Sequence, residues 1–281
     1  MDLEYEWFKT KIHAIAGIDL SGYRPEQMKR LVRKIMDSYG VRSYLALIRK
    51  LETEPSLVQE FKAQVTINVT CLFRDAPRWW DLAGFLDQLV RDRAGAADGP
   101  PEIRAWSAGC SIGAEPYSIA VLFEEIHRKP RAPDFSYRIF CSDLDRDMIA
   151  RGMDGVYTEK EMRETPRDYV RRYFSEVERP ARLWAKKSTA EKFYKVSPEI
   201  RANLRFRNQN IMDVGYDSSF ELIACRNVMI YFNDDVKKNL FHTFSQALVT
   251  GGILFIGATE VIFSPDQFSF KSERSGIYRK T

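Results

Sequence analysis

Between residues 103 and 257 the chain keeps returning to one pattern, a short apolar run followed by a longer amphipathic stretch. The runs Ile103–Ser107, Ser136–Cys141, Leu204–Arg207, Phe220–Cys225 and Gly252–Gly257 are strand candidates. Between them, Glu115–Arg128, Arg146–Gly152 and Asp234–Leu248 space their apolar residues as helices do. This alternation predicts an α/β fold: a mostly parallel sheet covered by helices on both faces, with ligands at the C-terminal strand ends. Residues 153–203 do not keep the pattern. They are charged, hold no glycine between Gly155 and Gly215, and read as an insertion. In it Tyr169–Phe174 is expected to be helical, while Ala181–Trp184 and Lys192–Val196 alternate as a small hairpin.

The first 65 residues differ in kind. Apolar clusters at helical spacing break at Gly17, Ser21–Pro25, Ser38–Gly40 and Glu54–Ser56, which predicts three or four short helices forming a small domain. Pro25 suits the first turn of one of them, and Ser43 suits the cap of a helix over Tyr44–Leu51. A flexible stretch, Ala94–Asp98, ends at Gly99-Pro100-Pro101 before the first strand. With 281 residues, 44% of them hydrophobic, the chain can bury a core in each of two unequal domains.

No apolar run approaches the ~20 residues of a membrane span. The start, Met1-Asp2-Leu3-Glu4, is acidic where a secretion signal would be basic, so a cytoplasmic address without membrane insertion is expected. Cys71, Cys110, Cys141 and Cys225 form no CxxC pair, and only three histidines accompany them. Buried free thiols explain them better than a metal site, and no metal is expected. The net charge of +4 is a mild excess that does not call for nucleic acid. Met28, Leu31, Val32, Ile35 and Met36 fall on one side of a helix, leaving Lys29, Arg30, Arg33 and Lys34 towards the outer side. That basic face is either an ordinary solvated surface or a docking face for an acidic protein.

Chemistry concentrates at the strand ends. After the first strand comes Ser107-Ala108-Gly109-Cys110-Ser111-Ile112-Gly113-Ala114-Glu115-Pro116-Tyr117. A strand-to-helix turn built on Gly109 and Gly113 lets backbone approach a ligand closely. The run is not GxGxxG and no Lys-Ser/Thr follows, so a pyrophosphate is not the obvious ligand. The second strand ends at Cys141-Ser142-Asp143-Leu144-Asp145. Asp143 at the tip can accept both hydroxyls of a ribose, whereas Asp145, nearer the next helix, suits a cap. Glu115 either complements the helix dipole or meets a cationic ligand. S-adenosylmethionine carries an ammonium and a sulfonium and fits an acidic site better than an anionic dinucleotide does. The fourth strand ends at Cys225-Arg226-Asn227, either a satisfied turn or part of the same site. An NAD-dependent dehydrogenase remains as an alternative, with the missing GxGxxG against it.

Together these segments resemble the CheR family of chemotaxis receptor methyltransferases. The resemblance rests on Thr66-Ile67-Asn68-Val69-Thr70-Cys71-Leu72-Phe73-Arg74-Asp75, the loop Trp106–Ser118, Asp143-Leu144-Asp145, Asn210-Ile211 and Cys225-Arg226-Asn227-Val228-Met229-Ile230-Tyr231-Phe232. It implies a Rossmann-like S-adenosylmethionine-dependent methyltransferase sheet over 71–281, with an inserted β-subdomain at about 176–200 and a helical receptor-docking domain over 1–70. It implies that Asn68, Thr70, Arg74, Glu115, Asp143, Asn210, Ile211 and Asn227 surround S-adenosylmethionine, or S-adenosylhomocysteine after transfer. Arg74, Arg226 and Tyr231 are placed by the same likeness at or near the methyl-transfer centre.

The implied activity is esterification of glutamate side chains on methyl-accepting chemotaxis receptors by a monomer docked through Lys29, Arg30, Arg33 and Lys34. A carboxylate with a pKa near ~4.3 is already the nucleophile at neutral pH, so no general base is needed and Arg74, or else Arg226, is the expected clamp. One departure stands out. The family pattern Thr-Gly-Glu-Glu-Pro-Tyr is Ile112-Gly113-Ala114-Glu115-Pro116-Tyr117 here, lacking one hydroxyl and one acid. Glu115 is taken as the ligand-facing acid, and the alternative is a catalytically weakened cofactor-binding sensor.

Overall fold

A computed structural model describes residues 2–65, 70–179, 192–212 and 219–281. Its contacts divide the chain into two units, Met1–Val69 with Val228–Asn239, and Thr70–Asn227 with Leu240–Thr281.

The first unit is helical: α1 (Leu3–Ala16), α2 (Pro25–Ser38), α3 (Tyr44–Thr53) and α4 (Pro55–Val65). Local chemistry sets the ends. The Asp2 carboxylate caps α1 by accepting from the Tyr5 amide, Pro25 opens α2, and Ser43 caps α3 through the Ala46 amide. Tyr5, Phe8, Ile12, Val32, Ile35, Leu47, Leu51 and Phe61 are all but inaccessible and form its core. On α2, Met28, Val32, Ile35 and Met36 point inward and Arg30, Arg33 and Lys34 outward. The expected basic face is thereby reduced by one charge: the Lys29 ammonium sits 2.7 Å from the Asp2 carboxylate and over the Tyr5 ring. A long flexible side chain beside a capping acid finds that partner rather than solvent. The 3-10 turn Met229–Tyr231 belongs to this unit, where the Arg24 amide donates to the Tyr231 carbonyl (2.8 Å).

The second unit opens with α5 (Ala76–Ala96), then runs β1 (Glu102–Ala108), α6 (Ala114–His127), β2 (Ser136–Asp143) and α7 (Arg146–Asp154). The following segment contributes β3 (Val156–Thr158), α8 (Arg167–Tyr173), β4 (Phe174–Val177), β5 (Phe193–Val196) and α9 (Pro198–Ala202). The main sheet resumes with β6 (Leu204–Asn208), β7 (Phe220–Cys225), α10 (Asp234–Ala247, of which Leu240–Ala247 falls in this unit), β8 (Leu248–Ile256), β9 (Phe270–Arg274) and β10 (Ile277–Lys280). Its order is β6-β2-β1-β7-β8-β10-β9. All pairs from β6 to β8 are parallel, and the last hairpin is antiparallel. Each expected strand and helix of the alternating region is present. Ala105, Leu222, Ala224 and Phe255 pack with α5 and α6 on one face, and Trp106 meets Phe244 of α10 on the other (5.5 Å between rings).

Three differences from the sequence reading have physical causes. Ala94–Ala96, expected to be flexible, complete α5, whose Trp79, Leu82, Leu86, Leu89 and Val90 keep helical spacing into the core. Lys192–Val196 does supply a strand, but β5 is the centre of an antiparallel β3-β5-β4 sheet, whose first strand, β3, begins at Val156. The expected partner Ala181–Trp184 lies outside the described residues. Finally, β9 and β10 are short and charged, and only backbone pairing, of β10 to β8 and of β9 to β10, identifies them.

Candidate active site

Five parallel strands end side by side, and the candidate residues follow their tips. Beyond β1 the chain turns through Gly109 (φ 81°), Ser111 (φ 48°) and Gly113 (φ 80°) into α6. The Gly109 and Cys110 amides both donate to the Ser142 carbonyl, at 2.8 and 2.9 Å, lashing the turn to β2. A Cβ at Gly113 would lie 3.1 Å from both the Gly152 Cα and the Phe206 ring in a left-handed conformation, so glycine is required for packing as well as for φ.

Asp143, at the tip of β2, binds this turn. Its Oδ2 accepts from the Ser111 amide and its Oδ1 from the Asp145 amide, each at 2.8 Å. A carboxylate has about four acceptor sites, so these bonds leave room for a further donor. Burial pushes the Asp143 carboxyl up to about 6, against the pull of those amides. Asp145 caps α7 through the Asp147 and Met148 amides, the role expected for it. On the next strand, Asn208 donates to the Asp143 and Leu144 carbonyls. Asn210 then accepts from the Met212 amide, and Ile211 is buried.

Glu115, in the first turn of α6, accepts from the Ser107 hydroxyl at 2.7 Å and from the Arg226 backbone. Burial pushes its pKa up to about 7, with the Arg226 charge opposing the rise. Ala114 is fully buried and Ile112 is 2% exposed, both within the core cluster of this unit. Both departures from the family pattern thus serve packing. Beyond β7, Asn227 adopts φ 60° with its amide donating to Glu260 Oε2 (2.9 Å), which also takes the Gly257 amide (2.6 Å). Glu260 was not singled out from sequence. Glycine closing a strand with an acid three residues on, Gly257-Ala258-Thr259-Glu260, is the signal that marks it, by the same logic as Asp143.

Arg226 and Arg74 are brought together but differ in situation. The Arg226 side chain is 3% exposed and packs against both the Trp79 and Phe255 rings, 5.1 and 4.8 Å from their centroids. It donates to the Arg74 carbonyl (2.8 Å) and pairs with Asp75 (3.0 Å). A guanidinium so enclosed braces the chain that carries Arg74, and Arg74 itself is half-buried. Thr70 is half-buried just ahead of that turn, and Asn68 lies outside the described residues. Tyr231 belongs to the helical unit, where with Gln27, Arg30, Leu31, Lys34 and Ile230 it lines a groove of about 300 Å³.

Three buried or half-buried acids around a glycine turn suit a cationic nucleotide and oppose an anionic one. All four cysteines are buried free thiols. Among the described residues no group of three or more His, Cys, Asp or Glu side chains is arranged to hold a metal ion.

Comparison with known proteins agrees with this geometry. Residues 68–277 match the CheR methyltransferase SAM-binding domain, and residues 3–66 match the CheR all-alpha domain. The chemotaxis protein methyltransferase of Listeria monocytogenes is 31% identical over 282 residues, covering 100% of this chain and 98% of that protein. Chemotaxis protein methyltransferase Cher2 of Pseudomonas putida is 29% identical, covering 98% and 97%. The chemotaxis protein methyltransferase of Salmonella typhimurium is 29% identical, covering 89% and 80%. With both domain matches end to end along one sequence, the chain belongs to the CheR methyltransferase family.

Proposed function

We propose that the protein esterifies glutamate side chains of chemotaxis receptors with the methyl group of S-adenosylmethionine. The observation that carries the reading is the pair of acids beside the Gly109–Gly113 turn, Asp143 buried at the tip of β2 and Glu115 half-buried in the first turn of α6, within a domain that matches a SAM-binding family. Asp143 is the acceptor for ribose hydroxyls through the lone pairs its amide bonds leave over, and Glu115 faces the ammonium. Gly109, Thr70, Asn210, Ile211 and Asn227 line the same cleft in this reading. When bound, S-adenosylmethionine supplies an electrophilic methyl: a carbon–oxygen bond forms as the carbon–sulfur bond breaks, the electron pair leaves with sulfur, and no proton moves.

The protein's own task is alignment. Arg74 receives the incoming carboxylate through its fork of donors, neutralising it enough to approach without quenching the nucleophile. Arg226 serves that act as a brace. The exposed Arg30, Arg33 and Lys34 are assigned to docking on glutamate-rich receptor helices. The enzyme is read as a monomer acting in the cytoplasm; no described helix is long and apolar enough to cross a membrane.

Incubation with methyl-labelled S-adenosylmethionine and receptor-bearing membranes is expected to label the receptor in a form that base releases as methanol. Absence of base-labile label would refute esterification. Tight cofactor binding with no transfer would favour the sensor alternative, for which the packed Ile112 and Ala114 give no support.

A further inference from the structure

Arg74 sits between two residues in the left-handed region, Phe73 (φ 53°) and Asp75 (φ 61°). Side chains with a Cβ adopt that conformation reluctantly, and it persists only where the surroundings fix it. Several do so here. The Phe73 amide donates to the buried Ser118 hydroxyl at 2.9 Å, and the Arg74 carbonyl accepts from the Trp79 indole and from Arg226, each at 2.8 Å. These groups belong to α5, α6 and the tip of β7.

One anchor comes from elsewhere. Glu164 lies in the loop after β3, in the segment that supplies the antiparallel sheet. Its Oε2 accepts from the Asp75 amide (2.8 Å) and the Ala76 amide (3.4 Å), and its Oε1 takes the Cys71 thiol (3.3 Å). A single carboxylate therefore holds both ends of the turn from Cys71 to Ala76. Asp75, the N-cap residue of α5, makes no capping bond of its own, since its side chain is paired with Arg226. Glu164 replaces it, satisfying orphan amides at the start of α5 and placing negative charge at a helix N-terminus. The same loop adds a backbone bond, from the Leu72 amide to the Glu161 carbonyl at 2.9 Å.

We infer that Glu164 is a positioning residue for methyl transfer, holding the strained turn that presents Arg74 to the acceptor carboxylate. The inference rests on the reading of Arg74 as the acceptor clamp. Without the Glu164 carboxylate, two amides at the head of α5 lose their acceptor and the turn gains competing conformations. Only molecules with Arg74 presented turn over, so kcat falls with that fraction. The ribose and ammonium contacts assigned to Asp143 and Glu115 do not involve Glu164, so the loss falls on kcat rather than on cofactor affinity.

The full chain is assayed as Glu164→Ala and Glu164→Gln for kcat and KM on receptor membranes, for binding of S-adenosylhomocysteine by calorimetry, and for thermal unfolding. Glu164→Ala is expected to lower kcat by about tenfold to a hundredfold, with affinity for S-adenosylhomocysteine and KM held within about twofold. Glu164→Gln, whose amide oxygen still accepts from Asp75, is expected to recover most of the rate. Should Glu164→Ala not melt cooperatively, Glu164→Asp, which retracts the carboxylate by one methylene, carries the same expectation as Glu164→Ala. A kcat within about twofold of wild type, or a loss of affinity that parallels the loss of kcat and is not rescued by glutamine, overturns the inference. If wild type itself yields no ester, the functional reading fails. If wild type yields ester and the variants match it, Glu164 alone is acquitted.

Discussion

The acids at the strand tips and the cations on α2 are opposite in sign and in construction. Asp143 and Glu260 have backbone amides on their carboxylates and Glu115 has a serine hydroxyl, and burial raises the pKa of Asp143 and Glu115. Arg30, Arg33 and Lys34 stand in solvent on one face of a helix. A buried, oriented charge is costly until a ligand of opposite sign arrives, and then it discriminates strongly. An exposed charge costs little and attracts at a distance, weakly and subject to salt. The first kind suits a cofactor held in one pose, and the second suits a receptor that must be found and released.

The comparison breaks most readily at Arg74. Arg74→Ala is expected to reduce ester formation by about a hundredfold or more, the scale for losing a charge-stabilising donor, while cofactor binding stays measurable by calorimetry. Esterification at the wild-type rate in that variant would take Arg74 out of the chemistry. Next in size is Asp143→Ala, expected to weaken S-adenosylhomocysteine by about tenfold to a hundredfold, the scale of hydrogen bonds to a charged group. Full affinity in a titration would remove the ribose assignment.

A pH series sharpens the contrast. Glu115, at about 7 in the empty protein, is largely neutral at pH 6, so a cationic ligand must expel its proton. Cofactor affinity is expected to fall by up to about tenfold per pH unit below 7, and Glu115→Gln to flatten that dependence. Stability of the empty protein runs the other way. Because the folded-state pKa is raised, this contribution is complete below the ordinary carboxylate range and is lost as pH rises through about 7, which thermal melts across that window would register. The smallest effect belongs to α2. Charge reversal at Arg30 and Arg33 together is expected to raise KM for receptor membranes by about threefold to tenfold at low salt, shrinking as salt is added, with cofactor affinity unmoved. A salt-independent KM, or none changed at all, would return this face to ordinary surface.

The tips of the parallel strands were legible because their signals are local. Glycines at Gly109 and Gly113 punctuate a turn, Asp143 ends a strand, and Asp145 stands where a cap belongs. Position just past a strand leaves Arg226 open as a satisfied turn or part of the site, and only the family resemblance puts it near the reacting centre. Its enclosure depends on Trp79 and Phe255, and its partners Arg74 and Asp75 lie about 150 residues earlier in the chain. Glu164 is equally remote from the Asp75 amide it holds. Lys29 was counted among the docking cations, and only the fold brings Asp2 to it. Periodicity reports which face of an element is apolar, and it is silent about which surface charge finds a partner across the chain.

The enclosure of the four thiols has a consequence for handling and for oxidative stress. Burial, aided by Glu164, pushes Cys71 up to about 12, and burial holds Cys110, Cys141 and Cys225 well above their ordinary value. With almost no thiolate at neutral pH and no access for reagents, the folded enzyme should resist alkylation and peroxide alike. Iodoacetamide uptake then becomes a clock for transient opening, its rate slowed by whatever ligand keeps the protein shut.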